Sequence, residues 1–168
     1  KGIENSFNSL FGDFATNSVF ISGGRTSMPF KGFQEGKQIK LTTRDVDLIR
    51  SEIKGIKFVV PRNATGGQVT KGFKTGNFTV FGDFPLLDKV QKKNLTDGRF
   101  LNQKDIDENR KVCVISDGIY KELFDKDEEP IGTYLKVSNI SYQVVGVYKS
   151  GRFEGKNDLH IPFSTFKV

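Results

Sequence analysis

Residues 112–124 read VCVISDGIYKELF and residues 130–148 read PIGTYLKVSNISYQVVGVY. The first stretch opens on four consecutive apolar residues, which is typical of a buried strand, and it continues into a short helical pattern. The second stretch holds two alternating segments separated by the turn-forming residues 138–141, and this pattern predicts a β-hairpin. Strand, helix and hairpin in one run of chain predict an α+β fold.

The residue pattern in the first third of the chain predicts two helices and two short strands. Thr42 is a good N-cap for a helix whose apolar residues recur every three or four positions until Gly55 stops it. Strands are predicted at 18–22 and 56–60, so this part has the order strand, helix, strand of a βαβ-like unit. An earlier amphipathic helix is predicted with one apolar face formed by Ile3, Phe7, Leu10 and Phe11.

Strands dominate the prediction for the rest of the chain. Residues 68–71 and 77–81 alternate and are joined by a glycine-containing linker, which predicts a second hairpin. A short helix is predicted at 86–90 and a last strand at 159–162. The 16 phenylalanines and 36% hydrophobic residues argue for a packed core.

The net charge of +6 does not by itself indicate a nucleic-acid partner. Lysines alternate with acids, as in residues 125–129, and no run of five or six like charges occurs. We therefore expect a solvated basic surface and only weak, non-specific affinity for DNA. The chain begins at Lys1 and its only Met is Met28, so we expect it to be a segment of a longer protein.

Residues that could carry chemistry are few and do not form a known motif. Residues 23–26, Gly-Gly-Arg-Thr, lack the order of a phosphate-binding loop. His160 is the only histidine, and it lies in an apolar strand where a structural role is commoner. Cys113 reads as an apolar filler, and the spacing of Asp83 and Asp88 is not specific for a carboxylate pair. We predict no catalytic, cofactor-binding or metal site, and the chain is predicted not to be an enzyme.

Five short motifs in a fixed order resemble the periplasmic core domain of ABC-transporter permeases of the MacB and FtsX type. They read DGRF at 97–100, VCVI at 112–115, LF at 123–124, PIG at 130–132 and YQVVGV at 142–147. A looser similarity extends to the helix start at 41–45 and to His160–Ser164. Cys113, Ser116 and Asp117 depart from the small residues that are usual in the family's strand and turn.

The resemblance implies structural roles for its motif residues, which are Gly98, Arg99, Phe100, Leu123, Phe124, Pro130, Gly132, Val145, Gly146 and Pro162. From their chemistry, Gly98 and Gly132 are predicted at turns that need a positive φ or close backbone approach. Arg99 is predicted to form a salt bridge or to cap carbonyl groups. The phenylalanines and aliphatic residues are predicted to lie in the core.

The fold implied by the resemblance is α+β in two parts. Residues 1–64 and 158–168 would form a βαβ porter-like part, incomplete at its C-terminal end. Residues 65–157 would form an inserted, mainly β part. The implied location is the periplasm, with the domain joined to the inner membrane by flanking helices.

The function implied by the resemblance is non-catalytic coupling. ATP would be hydrolysed by a cytoplasmic ABC ATPase subunit or domain. Movement of a permease homodimer would then act on an exported substrate or on a periplasmic adaptor protein, and the helix containing Ile3 and Phe7 would form the mechanical link. The alternative is a stand-alone periplasmic binding module for peptide, lipid or glycan, which would lack apolar spans on either side of this segment.

Overall fold

The computed structural model describes residues 18–29, 31–32, 34–151 and 155–166. Its described residues fall into two compact units, one within 17–61 and one from residue 62 onwards. The predicted amphipathic helix that contains Ile3, Phe7, Leu10 and Phe11 lies outside the described residues. No described helix has the length and apolarity needed to cross a bilayer.

The described residues of the first unit contain one helix, α1, at Thr43–Glu52. Thr42 precedes it in an extended conformation, and its backbone N–H and hydroxyl both donate to the Asp45 carboxylate. This arrangement satisfies donors that a helix start leaves free. Gly55 follows the helix with φ +87°, so the predicted helix and its stop are confirmed.

The strands predicted at 18–22 and 56–60 do not belong to any sheet among the described residues. The described part of this unit contains one isolated bridge, between Arg25 and Gln38. An apolar segment becomes a strand only when a neighbour accepts its backbone hydrogen bonds. Neither segment pairs with a strand among the residues that the structure describes, and these two strand predictions are wrong.

The second unit contains seven strands, three short α-helices and one 3₁₀ helix among its described residues. The strands are β1 Asn63–Lys71, β2 Lys74–Asp83, β3 Leu95–Gly98, β4 Val112–Ser116, β5 Tyr134–Val137, β6 Ile140–Tyr148 and β7 Asp158–Pro162. The helices are α2 Leu87–Val90, α3 Gln103–Asp107, α4 Asp117–Leu123 and the 3₁₀ helix Phe163–Thr165.

The strand pairings close into a ring. The order is β6, β4, β7, β2, β1, β5, and β5 pairs again with β6. The contacts of β4 with β6 and of β2 with β7 are parallel, whereas the other contacts around the ring are antiparallel. β3 pairs with β6 outside this ring. A closed ring leaves fewer free backbone edges than an open sheet.

The side chains that fill the ring alternate along β2 and β5, whereas every residue of β4 is buried. In β2 the buried side chains include Phe78 and Val80. Leu123 of α4 is completely buried, as is Cys113 of β4. Burial raises the pKa of the Cys113 thiol, so the prediction of an apolar filler is confirmed.

These elements confirm the α+β class and both predicted hairpins. The sequence reading missed β3 and α3, which are short and rich in polar residues. The last strand, β7, lies between β4 and β2. The division into 1–64 with 158–168 and 65–157 stays a prediction.

Candidate functional site

Two of the motif glycines lie opposite each other in the antiparallel pair of β3 and β6. We call this close approach of the two backbones the crossing. Gly98 pairs with Gly146 in the strand register. A Cβ atom on Gly98 would lie 2.2 Å from the Val145 carbonyl oxygen, and one on Gly146 would lie 2.1 Å from the Arg99 carbonyl oxygen. Gly98 also has φ +68°. The backbones therefore approach more closely than any side chain permits.

Arg99 follows this crossing and binds Asp105 through two nitrogens. Its Nη1 lies 2.6 Å from one carboxylate oxygen and its Nη2 lies 3.0 Å from the other. Nη1 also donates to the Phe100 carbonyl oxygen at 3.0 Å. Both roles predicted for Arg99, salt bridge and carbonyl cap, are confirmed.

Asp105 is completely buried and also caps the helix α3. Its carboxylate accepts from the backbone of Asn102, and its own N–H donates to the Asn102 side chain. Burial raises the pKa of Asp105, but the hydrogen bonds from Arg99 and Asn102 outweigh burial and leave the pKa below its usual value.

A turn beside the crossing contains Pro130 and Gly132. The Thr133 N–H donates to the Pro130 carbonyl, and the Gly132 N–H donates to the Val144 carbonyl. Gly132 has φ +87°, as predicted. This turn therefore fastens the start of β5 to the neighbouring strand β6.

The remaining motif residues are distributed over the core. Leu123 and Phe124 lie together at the end of α4, and Phe100 is buried elsewhere, against the His160 ring. Val145 is half-buried. Pro162 ends β7 and pairs in register with Asp83. The motif thus comprises one backbone crossing and several separate packing positions.

A buried polar network lies next to Phe100, and sequence reasoning did not find it. His160 Nδ1 lies 2.7 Å from an Asp83 carboxylate oxygen, and His160 Nε2 lies 3.1 Å from the Tyr148 hydroxyl. All three residues are completely buried. A carboxylate accepts hydrogen bonds, so Nδ1 is the donor to Asp83. The Tyr148 hydroxyl also donates to the Asp158 carbonyl oxygen at 3.4 Å.

Arg62 extends this network toward the surface. Its Nε lies 3.0 Å from Asp83, a contact that is electrostatic and not aligned as a hydrogen bond. The guanidinium stacks 3.6 Å from the centre of the Phe81 ring. Lys93 is also buried and lies over the Tyr148 ring.

The electrostatics of the network favour a neutral imidazole. Burial lowers the pKa of His160, the ion pair with Asp83 raises it, and the positive charges of Lys93 and Arg62 lower it, with a lowered pKa as the result. The order carboxylate, imidazole, hydroxyl is the order of a hydrolase triad. Here no member is accessible, so a substrate has no route to the hydroxyl and the network acts on structure.

Asp83 and Asp88 do not form a carboxylate pair. Asp83 faces His160, whereas Asp88 accepts a hydrogen bond from the Lys93 backbone. No cluster of three or more His, Cys, Asp or Glu side chains with the geometry of a metal site occurs in the part of the chain that the structure describes.

Sequence comparison relates the whole chain to one family. The profile of the family described as "MacB-like periplasmic core domain" matches residues 1–168. The chain is 26% identical over 157 residues to the macrolide export ATP-binding/permease protein MacB of Bdellovibrio bacteriovorus, covering 94% of the chain and 24% of that relative. It is 26% identical over 164 residues to the pyoverdine export ATP-binding/permease protein PvdT of Pseudomonas savastanoi pv. phaseolicola, covering 92% and 23%.

Structure comparison finds the same fold in two solved domains. The extracellular domain of the ABC-type transporter YknZ from Gram-positive bacteria superposes with a TM-score of 0.65 at 24% identity, covering 73% of this chain and 63% of that one. The periplasmic region of MacB from Actinobacillus actinomycetemcomitans gives a TM-score of 0.64 at 24% identity, covering 75% and 56%. The chain spans about a quarter of the length of the curated relatives that it matches.

Proposed function

Because the chain belongs to the MacB-like periplasmic core domain family and is the periplasmic domain of an ABC-transporter permease, we propose that it couples movement of the membrane helices to export. In this proposal it catalyses no reaction. ATP is hydrolysed by another part of the transporter, and the domain transmits the resulting displacement outside the inner membrane.

The closed ring of strands is the observation that carries this proposal. A domain can transmit displacement only if it moves as a stiff body. Strands that pair on both edges around a packed core resist shear better than an open sheet with one free edge. The ring of six strands around fully buried side chains such as Leu135 and Leu159 supports such stiffness.

The contacts of Arg62 support a firm attachment where the chain enters the ring. Arg62 directly precedes β1 and binds Asp83 at the end of β2. Its guanidinium also stacks on Phe81 of the same strand. A pull on the segment before β1 would therefore load two strands at once and not a single strand end.

The partners that we propose follow from the same role. The relatives MacB and PvdT are named as ATP-binding/permease proteins, so we propose an ABC ATPase as a fused domain or separate subunit. A second permease copy would complete a homodimer. A periplasmic adaptor protein would receive the displacement, and no nucleic acid takes part.

The division into two parts remains part of the proposal. Residues 1–64 with 158–168 would form a porter-like part. Large apolar side chains between 18 and 61, such as Val19 and Leu48, are 84% and 58% exposed, which supports burial by another segment of the same permease. Hydrogen exchange of α1 should be slower in the full-length permease than in the isolated chain. Equal exchange would contradict the proposal.

A flexible insertion in the full-length permease tests the coupling. Two glycines inserted near Asn5 should break the stiff link that the sequence predicts there. We expect ATP turnover to continue while export falls to background and the outer domain stays folded. The matched control is the same insertion after Gly36, an exposed turn residue, which should leave export intact. Full export with the Asn5 insertion would refute the coupling role of this segment.

The binding-module alternative makes a different prediction. A stand-alone module for peptide, lipid or glycan would have no membrane spans on either side of residues 1–168 in the full-length sequence. It would also bind its ligand equally well with and without the permease. Apolar spans on both sides would exclude it.

A further inference from the structure

Two Asp-Gly pairs occur in the chain, and the structure places them in different settings. They are Asp97-Gly98, at the end of β3, and Asp117-Gly118, at the start of α4. Backbone isomerisation of an aspartate meets least steric resistance before a glycine, because glycine has no Cβ beside the reacting nitrogen. Since both pairs share this sequence, only their geometry distinguishes them.

The Gly98 nitrogen lies against the Asp97 side chain. The Gly98 N–H donates to Asp97 Oδ1 at an N···O distance of 2.7 Å. This contact also brings the nitrogen close to the carboxyl carbon that is bonded to the oxygen. Reacting atoms that are held in contact reach the transition state more readily than separated ones. Both residues are exposed, so water has access to the carboxyl group.

The Gly98 N–H takes no part in the pairing of β3 with β6. The Arg99 N–H donates to the Val145 carbonyl oxygen, and successive residues of an antiparallel pair alternate between bonded and non-bonded positions, so the Gly98 N–H points away from β6. β3 has four residues and pairs with β6 alone among the described strands. A register shift between Leu95 and Asp97 interrupts this pairing further. The backbone at Asp97 therefore rotates more easily than a backbone within the ring.

The Asp117 carboxylate is occupied by other partners. Its Oδ1 accepts from the Ser150 backbone at 3.0 Å and from the Ser150 hydroxyl at 2.7 Å, and its Oδ2 accepts from Lys121 at 2.9 Å. Burial raises the pKa of Asp117, but these hydrogen bonds outweigh burial and lower the pKa, so the carboxylate stays ionised and is a poor electrophile. A Cβ on Gly118 would lie 1.9 Å from the Lys156 carbonyl oxygen. This second pair is therefore closely packed.

We propose that Asp97-Gly98 is a site of spontaneous backbone isomerisation, at which Asp97 becomes an isoaspartyl residue. The Gly98 nitrogen attacks the carbon of the protonated Asp97 carboxyl group, a C–N bond forms, and the proton of the nitrogen leaves with the carboxyl hydroxyl as water. Water then opens the cyclic imide. Opening at the side-chain carbonyl restores Asp97, whereas opening at the main-chain carbonyl leaves a chain that runs through Cβ and Cγ. No electrons are transferred, and water is the only co-reactant.

Isomerisation releases β3 from the crossing. The isoaspartyl link adds one carbon to the main chain, a length of about 1.5 Å. Gly98 lies so close to β6 that an added Cβ would be 2.2 Å from the Val145 carbonyl oxygen, so the lengthened chain cannot keep this register. Arg99 follows directly and loses its alignment with Asp105. The domain thus acquires a second, aged form in which β3 is detached, and this inference does not depend on the coupling function.

Ageing of the purified full-length permease in mildly acidic, heavy-oxygen water tests the site. Tandem mass spectrometry with electron-transfer dissociation distinguishes isoaspartate from aspartate, and Asp117 is the internal control. We expect isoaspartate with one heavy oxygen to form at position 97 at least about ten times faster than at position 117, which corresponds to about 1.4 kcal/mol in the barrier. Equal rates at the two positions would overturn the proposal. So would the absence of isoaspartate at position 97 when a free peptide of residues 94–100, aged in parallel, has half converted.

Asp97→Ser tests the consequence for β3. Serine cannot form the imide, and the exposed position 97 leaves the crossing intact. Hydrogen exchange of the Arg99 amide, which donates to Val145, should become at least about ten-fold faster in the isoaspartyl molecules of the aged natural permease. It should stay constant when Asp97→Ser is aged in the same way. An equal increase in both proteins, or unchanged exchange after isoaspartate has formed at position 97, would refute the release of β3.

Discussion

Arg99, which follows β3, is joined to the helix α3 through the buried carboxylate of Asp105. Asp105 is completely buried, and Arg99 lies 2.6 Å from its carboxylate whereas Arg110 lies 3.9 Å away. Removing one member of such a pair leaves the other charge without adequate solvation. The fork geometry of arginine also supplies two parallel bonds that lysine cannot supply.

Arg99→Met should therefore lower the free energy of unfolding by about 2–4 kcal/mol. Arg99→Lys should recover only part of this loss. Urea denaturation followed by circular dichroism measures both. The control is Lys104→Met, which removes an exposed contact of 3.7 Å to Glu108 and should cost less than about 0.5 kcal/mol. Equal losses in the two variants would contradict the role of the buried pair.

His160 makes stability depend on pH in a defined direction. Its pKa is lowered in the folded chain, chiefly by burial, so the unfolded chain binds the proton more readily. Stability should be complete above the ordinary histidine pKa of about 6.5 and should fall as the pH drops toward the lowered value. Asp158 has a raised pKa, chiefly through burial. It therefore has the opposite effect and increases the stability of the folded chain as the pH falls through its own, more acidic range.

Urea midpoints at pH 7.5, 6.5 and 5.5 measure this dependence. We expect a decrease below pH 6.5 in the natural chain and a flatter profile in His160→Gln, although that variant starts from lower stability. Since the chain has one histidine, no other imidazole can produce the slope. A midpoint that rises on acidification through this range would refute the assignment.

At the scale of elements, the crossing of β3 and β6 depends on two glycines. Gly146→Ala would place a methyl group 2.1 Å from the Arg99 carbonyl oxygen, a backbone atom that cannot move without shifting β3. We expect a loss of at least about 2 kcal/mol in unfolding free energy, beyond the usual range for strand positions. Thermal unfolding of the two chains measures it.

Gly66→Ala is the matched control for this crossing. Gly66 lies in β1, has no atom within 4 Å of an added Cβ and has no positive φ. Alanine there should be neutral or slightly stabilising, by about 0.5 kcal/mol. If Gly146→Ala were as mild as Gly66→Ala, the close approach of β3 and β6 would not be an essential feature of the fold.

At the scale of the whole molecule, charge is spread over the surface and partly paired. Lys71, Lys74, Arg99 and Lys121 each lie within an ion pair with an acid. Non-specific binding to DNA depends on releasing counterions from several phosphates by adjacent free cations. We therefore expect only weak duplex binding at physiological salt, measured by fluorescence anisotropy. Sub-micromolar affinity with a steep salt dependence would contradict this expectation.

Local pattern predicted α1 of the first unit and most elements of the second unit. The N-cap Thr42, the turn at Ser138 and Asn139 with φ of 46° and 69°, and the alternation of β2 are features of neighbouring residues. Such features need no knowledge of distant contacts. The roles of Arg99 and Gly132 were also predictable, because few conformations and partners suit an arginine or glycine next to a strand end.

The sequence by itself determined the α+β class, the family and most boundaries, since these depend on periodicity, turn chemistry and motif order along the chain. Only the tertiary structure decided that the strands close into a ring, that Asp83 reaches His160 across 77 positions, and that 18–22 and 56–60 pair with no strand in the described part of the chain. These outcomes depend on which distant segments supply hydrogen-bond partners and exclude water. The chain adopts the arrangement of distant segments that minimises the free energy of the whole fold. No short stretch of sequence determines that arrangement.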